Sequence, residues 1–491
     1  MNETKNNAAP IRDARTLGTP KMLLLGLQHM FAMFGATVLV PILVQGYGLP
    51  LSIQTTLFFA GFGTLFFHVC TRMKVPAFLG SSFAFLGGFQ AMAAMDSGIY
   101  AGMAPAEKLQ YTCGGIVVAG ALYVILALII KAVGVHKVMR FLPPVVTGPI
   151  IILIGLNLAP SAVSNASTCW WLALVAMAII VVANIWGKGM IKIIPILLGV
   201  VGSYIVALVA GKVDFSSLAG TDLIGFQPFV TDFGGSIAKF DISAILVMAP
   251  IAIASMMEHI GDMSAISATV GENFIEEPGL HRTLVGDGIA TALAGLFGGP
   301  ANTTYGENTG VLVLSRVHDP RVIRLAAIYA IVLSFSPMFA AFVSSIPSAI
   351  IGGVSFILYG MISAIGVRNV VENQVDFTNS RNLIIAAVIL VCGLGFTGGL
   401  TFHVGGVSIT LTSLAIAAIA GIALNAILPG NDFQFGKSAN SDTAASLGRY
   451  LALQKDRPAS KAQGGLFCLQ RKKGKNRKNS GKRLTIFSYL I

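Results

Sequence analysis

The sequence predicts an all-α, multi-pass membrane protein, and three observations carry the prediction. Of its 491 residues, 55% are hydrophobic and only 11% are charged, where a soluble globular chain carries roughly 25% charged residues; the mean hydropathy is +0.78. About fourteen apolar segments, each at helix length or shorter, follow one another along the chain. The third and the tenth are interrupted by Gly, Pro, Ser and Thr at corresponding places, which suggests an internal repeat.

In order, the segments run approximately over 22–44, 52–70, 77–95, 111–131, 142–160, 169–187, 193–210, 241–262, 281–298, 303–315, 322–344, 348–366, 382–399 and 406–428. The first twenty residues are polar and mixed in charge, so a cleavable signal peptide is not expected. Lys and Arg cluster in alternate short loops: Arg12, Arg15 and Lys21; Arg72 and Lys74; Lys131, Lys137 and Arg140; Lys188 and Lys192; Arg316, Arg321 and Arg324; Arg368 and Arg381. The loops at 159–168 and 211–240 are poor in them. With about fourteen spans this bias places both termini in the cytoplasm. A repeat unit with an odd number of spans inserts in opposite senses in the two halves, so the repeat is inverted. The expected organisation is a cytoplasmic N-terminus (1–21), a first repeat (22–210), an extracytoplasmic loop (211–240), a second repeat (241–428) and a cytoplasmic tail (429–491).

The tenth segment lies at the centre of this pattern. Residues 301–316 read ANTTYGENTGVLVLSR. Gly299, Pro300, Gly306 and Gly310 argue against one continuous helix. From Gly306 a half-helix can run to Arg316, with Glu307 near its start at membrane depth. A buried ionisable group is costly there and marks a functional site by default. A helix start also presents free N–H groups and a positive dipole end. The third segment answers it: 75–85 reads VPAFLGSSFAF, and Phe83 follows Pro76 at the offset at which Glu307 follows Pro300. Tyr305 and Phe83 offer aromatic faces beside the two breaks, and Ser82 and Asn308 offer polar support.

Within the eighth segment, SMMEHIGDMSA brings Glu258, His259 and Asp262 together. Glu258 and Asp262 are four apart and share a helix face. Two like charges in a low-dielectric site repel, so at least one of them is expected to hold a proton near neutral pH. His259 points about 100° away and reads as a structural hydrogen-bonder. Gln28 and His29 in the first segment suit hydrogen bonding between helices. Asp287 reads as a structural partner for Gln, Ser or backbone groups. The five cysteines (Cys70, Cys113, Cys169, Cys392 and Cys468) form no CxxC pair and read as small buried side chains. No Walker A loop, HExxH or GxSxG motif is present, which argues against an enzyme and against an ATP-driven pump. The net charge of +12 belongs mainly to residues 431–491, which hold 13 of the 33 Lys/Arg and 3 of the 21 Asp/Glu. That basic, polar tail reads as disordered and solvated at an anionic leaflet, with no nucleic-acid role expected.

The stretches QHMFAMFGATVLVP, VPAFLGSSFAF, EHIGD, PGLHR and NTTYGENTGVLVLSR closely resemble the nucleobase–cation symporter-2 (nucleobase–ascorbate transporter) family, its uracil-carrying members in particular. The resemblance spans about 23–428. It implies a seven-plus-seven inverted repeat, a core domain of spans 1–4 and 8–11, a gate domain of spans 5–7 and 12–14, and extended stretches leading into half-helices in spans 3 and 10. It also implies a homodimer in the cell membrane, an elevator-like shift of core against gate, and uracil:proton symport with the proton as coupling ion and no metal or other cofactor. Glu258 and Glu307 match the family's substrate-binding carboxylates, and Phe83 matches an aromatic that contacts the base. Ala36 and Tyr305, with the neighbouring Gly306, match residues lining the site partly through backbone. Where some members carry a histidine one turn after the first glutamate, this chain has Asp262, assigned with Glu258 to proton coupling. The Glu-Asn-x-Gly pattern at Glu307 fits uracil-type members better than purine-type members, which more often carry Gln. A xanthine or urate symporter is the alternative, followed by an anion exchanger of the related architecture.

Overall fold

In a hydrocarbon layer every backbone N–H and C=O must be satisfied within the protein, so long apolar runs become helices and an extended stretch needs a strand partner. The computed structural model obeys both demands. It describes residues 10–218, 220–225, 237–404 and 407–430; the basic tail, Cys468 and part of the 211–240 loop lie outside the described residues.

The first half runs α1 (Thr19–Gly46), α2 (Ile53–Cys70), strand β1 (Leu79–Ser81), α3 (Leu86–Ala94), α4 (Pro105–Val133), the short α5 (Val135–Met139), α6 (Pro144–Ser167), α7 (Trp170–Ile185), the short α8 (Met190–Ile193) and α9 (Pro195–Val209). The second runs α10 (Ile242–Met248), α11 (Ile251–Val270), α12 (Leu280–Leu296), β2 (Asn302–Thr304), α13 (Gly306–Ser315), α14 (Pro320–Ser334), α15 (Pro337–Ser344), α16 (Ser348–Glu372), α17 (Ser380–Gly395), a hairpin of β3 (Leu400–Val404) and β4 (Val407–Leu411), and α18 (Ser413–Ile427). Prolines open α4, α6, α9, α14 and α15, where the missing N–H costs nothing. Side-chain caps begin others: Asp241 accepts from Ser243 N, Asn379 from Arg381 N, and Thr412 from Ala415 N.

Among the described residues, six helices are long and apolar enough to cross a membrane: α1, α2, α4, α6, α10 continued into α11, and α16. Two segments differ from the sequence reading. The run 322–344 is a pair of helices, α14 and α15, bent by 88°. Pro337 cannot continue the α14 ladder, and the Ser336 hydroxyl instead caps α15 by accepting from Phe339 N. The run 406–428 is a helix only from Ser413; its start is strand β4, paired antiparallel with β3 from Leu400↔Leu411 to Val404↔Val407.

Helices α2 and α4 pack on α12, with α1 and α2 also on α14; α6 packs on α16 and α17, and α7 on α9 and α16. The two short strands pack on the first group, β1 on α1 and α2 and β2 on α2, α11 and α12. β1 and β2 pair antiparallel in the register Leu79↔Thr304, Gly80↔Thr303 and Ser81↔Asn302. Two further bonds extend the pairing, Ser82 N to Ala301 O at 2.8 Å and Tyr305 N to Phe78 O at 3.0 Å. The interrupted stretches of the two halves thus satisfy each other.

Candidate functional site

Each strand delivers the chain to a helix start. β2 leads through Tyr305, the cap residue, to α13, whose first turn carries Glu307. Tyr305 makes no side-chain cap bond. Its hydroxyl instead donates to Ser81 O at 2.9 Å and lies 3.4 Å from Thr37 Oγ1. Its ring covers Gly80, where an added Cβ would sit 2.3 Å from ring carbons. Tyr305 therefore locks the two strands with its side chain, and only its backbone faces the α13 start. On the other strand, Ser82 Oγ lies 3.2 Å from Ser255 Oγ on α11. Phe83 is buried edge-on to Tyr359 of α16, with ring centroids 5.9 Å apart.

Helix α11 crosses this strand pair. The Asp262 carboxylate accepts from Thr304 Oγ1 at 2.9 Å, which ties the helix to the end of β2. One turn earlier Glu258 has a buried Oε2 with no hydrogen-bond partner among the described residues. His259 turns away from both: Nε2 lies 3.0 Å from Thr283 Oγ1, and Nδ1 lies 2.9 Å from Asp287 Oδ2, with His259 and Asp287 fully buried. Asp287 thus faces a histidine, not the Gln, Ser or backbone groups expected of it, because α12 packs against α11 on the side that carries His259.

Helix α1 closes the third side. Ala36 is fully buried. Asn308 Nδ2 donates to His29 O at 3.2 Å, and its Oδ1 and the His29 Nε2 are buried without partners among the described residues. Gln28 Nε2 contacts Met190 Sδ on α8, and its Oε1 is likewise unpartnered. Buried polar atoms left unpaired cost about 1–3 kcal/mol each. Here Gln28 and His29 lie on α1, Glu258 on α11 and Asn308 on α13.

A cavity of about 400 Å³ has Asp262, Gly306 and Glu307 in its lining. Ile365 and Asn369 of α16 line it too. Glu258, Phe83, Tyr305 and Ala36 are not in its lining. Thr304 and Ser81 were missed in the sequence, although the unusual Asn-Thr-Thr run before Tyr305 was a signal for the former. Carboxylates beside an uncapped helix start can accept from N–H groups while the helix N–H groups donate to carbonyl oxygens. Among the described residues no group of three His, Cys, Asp or Glu is placed to hold a metal ion.

Apolar helices, a central strand pair and buried carboxylates on a cavity define a multi-pass membrane protein built around a polar site. Residues 20–401 match the Permease family, and the chain belongs to it. It is 42% identical over 429 residues to a "Uracil permease" of Bacillus caldolyticus, covering 86% of this chain and 94% of the relative. It is 34% identical over 438 residues to the "Putative pyrimidine permease RutG" of Escherichia coli (strain K12), covering 87% and 94%. Among solved structures, it is similar in fold to "the transmembrane domain of a cyanobacterium bicarbonate transporter BicA", with a TM-score of 0.53, 16% identity, and coverage of 84% of this chain and 99% of that one. A murine Solute Carrier 26 family member A9 anion transporter in the inward-facing state aligns with a TM-score of 0.57 and 12% identity, covering 87% and 73%.

Proposed function

We infer that this protein is a nucleobase transporter that imports uracil with protons. The observation that carries the reading is the placement of Asp262 and Glu307 on one cavity beside the start of α13, in a chain similar to proteins named uracil permeases. Uracil is small, planar and neutral, with two N–H donors between carbonyl acceptors. Glu307 and Glu258 accept from its N–H groups, and the first N–H groups of α13 donate to a carbonyl. Phe83 covers the ring. An analogue lacking a donor leaves a carboxylate unpaired and is rejected for that reason.

A neutral solute accumulates only if an ion is carried with it. One proton brings roughly 2.3 kcal/mol per 100 mV of membrane potential, which is about a 50-fold gradient. Glu258 takes the proton from outside and releases it inside, with Asp262 as its partner. The groups α1–α4 with α10–α15 and α6–α9 with α16–α18 act as core and gate, sliding in an elevator-like step. The protein works as a homodimer in the cell membrane, among its lipids, with both termini cytoplasmic. The buried carboxylates weigh against an anion as cargo. The test is competition: unlabelled uracil, thymine, xanthine and urate against labelled-uracil uptake. Displacement by uracil at the lowest concentration supports the reading, and displacement by xanthine or urate first moves the substrate to the purines. PH-driven accumulation that survives Glu258→Gln would remove Glu258 from the coupling step.

A further inference from the structure

The segment before α1 does not run free. Ile11 N donates to Arg316 O at 2.8 Å and Ile11 O accepts from His318 N at 2.8 Å, a parallel bridge onto the turn between α13 and α14. Ala14 N donates to the buried Asp319 carboxylate at 2.7 Å. Asp319 also caps α14 by accepting from Arg321 N, and Arg321 reaches back to Asp13 at 2.9 Å. Arg12 pairs with Glu272, just past the end of α11. Beneath these bonds Ala14, Val317 and Val322 form an apolar cluster of their own, covered by Ile11, Leu17, Met22 and Leu25. One short stretch therefore grips the ends of α1, α11 and α13. Those are the helices that carry Ala36, Asp262 and Glu307.

We propose that residues 11–14 are positioning residues for the transport site, a strap that fixes the tilt of α13. The proposal rests on the reading that Glu307 binds the transported base. Arg316 ends α13 in the left-handed region at φ 54°, a conformation that a non-glycine residue keeps only where its surroundings hold it. The strap supplies such a hold, because Ile11 N–H occupies the Arg316 carbonyl. Glu307 stands nine residues up the helix, roughly 13 Å away at 1.5 Å per residue. A tilt of about 4° at Arg316 would move it by about 1 Å, a displacement that costs up to about 100-fold at a tuned site. The Coulomb contacts of the strap are exposed and weak; the backbone bonds and the buried Asp319 are what hold it.

Ala14→Pro tests this in the full-length protein. It deletes the N–H that reaches Asp319, yet Ala14 is the first residue of its own helical turn, where proline is tolerated, and Asp13 before it is extended. The readout is the dissociation constant for uracil by calorimetry on the monodisperse protein, beside its unfolding temperature. The expected result is a rise in Kd on the order of ten-fold, with the unfolding temperature nearly unchanged. Ile11→Cys with Val317→Cys, oxidised in that background, then restores the wild-type Kd, and reduction removes the rescue. A folded Ala14→Pro protein with wild-type Kd, or a raised Kd that the disulfide does not correct, overturns the proposal. Should Ala14→Pro fail to fold, Asp319→Asn, which keeps an α14 cap, is read by the same criteria. Wild-type affinity for uracil reports on the proposed function separately. The strap is judged by the ratio of variant to wild type on whichever of uracil, thymine and xanthine binds tightest.

Discussion

Thr304 Oγ1 donates a 2.9 Å hydrogen bond to Asp262 Oδ2, so the last residue of β2 holds the carboxylate that lines the cavity next to Gly306 and Glu307. A buried polar partner left without its hydrogen bond costs about 1–3 kcal/mol. Thr304→Val keeps shape and removes the donor. Steady-state uptake should show kcat/KM lower by about 10- to 100-fold, and Thr304→Ser should recover most of it. Equal rates in Thr304→Val and wild type would show that this bond does not shape the site.

Gly80 is where β1 passes beneath the Tyr305 ring. An added methyl would meet ring carbons at 2.3 Å, and the ring cannot withdraw without breaking its bond to Ser81 O. Gly80→Ala should destabilise the protein by about 1–3 kcal/mol, as overpacking does, and lower its unfolding temperature in detergent. Combining it with Tyr305→Phe, which frees the ring from that hydroxyl bond, should give back part of the loss.

Asp13 precedes α1, outside the membrane. The Arg15 side chain and then its N–H hold the Asp13 carboxyl at about 2, well below its ordinary value. A depressed carboxylate stabilises the fold above its unfolded value and loses that contribution as pH falls through the folded one. The difference in unfolding temperature between wild type and Asp13→Asn should therefore be flat from pH 5 to 8 and vanish toward pH 2. The pH dependence of uptake over pH 5–8 should be the same in both. A difference that changes between pH 6 and 8 would contradict this.

Much of this was legible in the chain, for physical reasons that can be named. Hydropathy located α1, α2, α4, α6 and α16 because each holds a long run of apolar residues with few charges. Glu307 and Asp262 stood out because carboxylates are rare in apolar runs. Thr304, Ser81 and Thr37 did not stand out. Hydroxyls in apolar segments often bond their own preceding turn, as Thr112 does to Lys108 O and Ser203 to Gly199 O, and nothing local distinguishes those that reach across. The strap was hidden in the same way: Ile11 and Ala14 sit in a polar tail, and their partners Arg316 and Asp319 lie some three hundred residues away. The 88° bend had a local sign in Pro337, but the apolar run continues through it and outweighed the proline. Asp287 was assigned to the wrong partner because the facing of α12 and α11 is a tertiary fact.

The most direct test of the central claim is labelled-uracil uptake into proteoliposomes with an imposed inward proton gradient, wild type beside Glu307→Ala. Uphill uptake is expected in the wild type, collapsed by a protonophore and absent in the variant. Uphill uptake that persists in Glu307→Ala, or uptake in the wild type that ignores the protonophore, would contradict the claim.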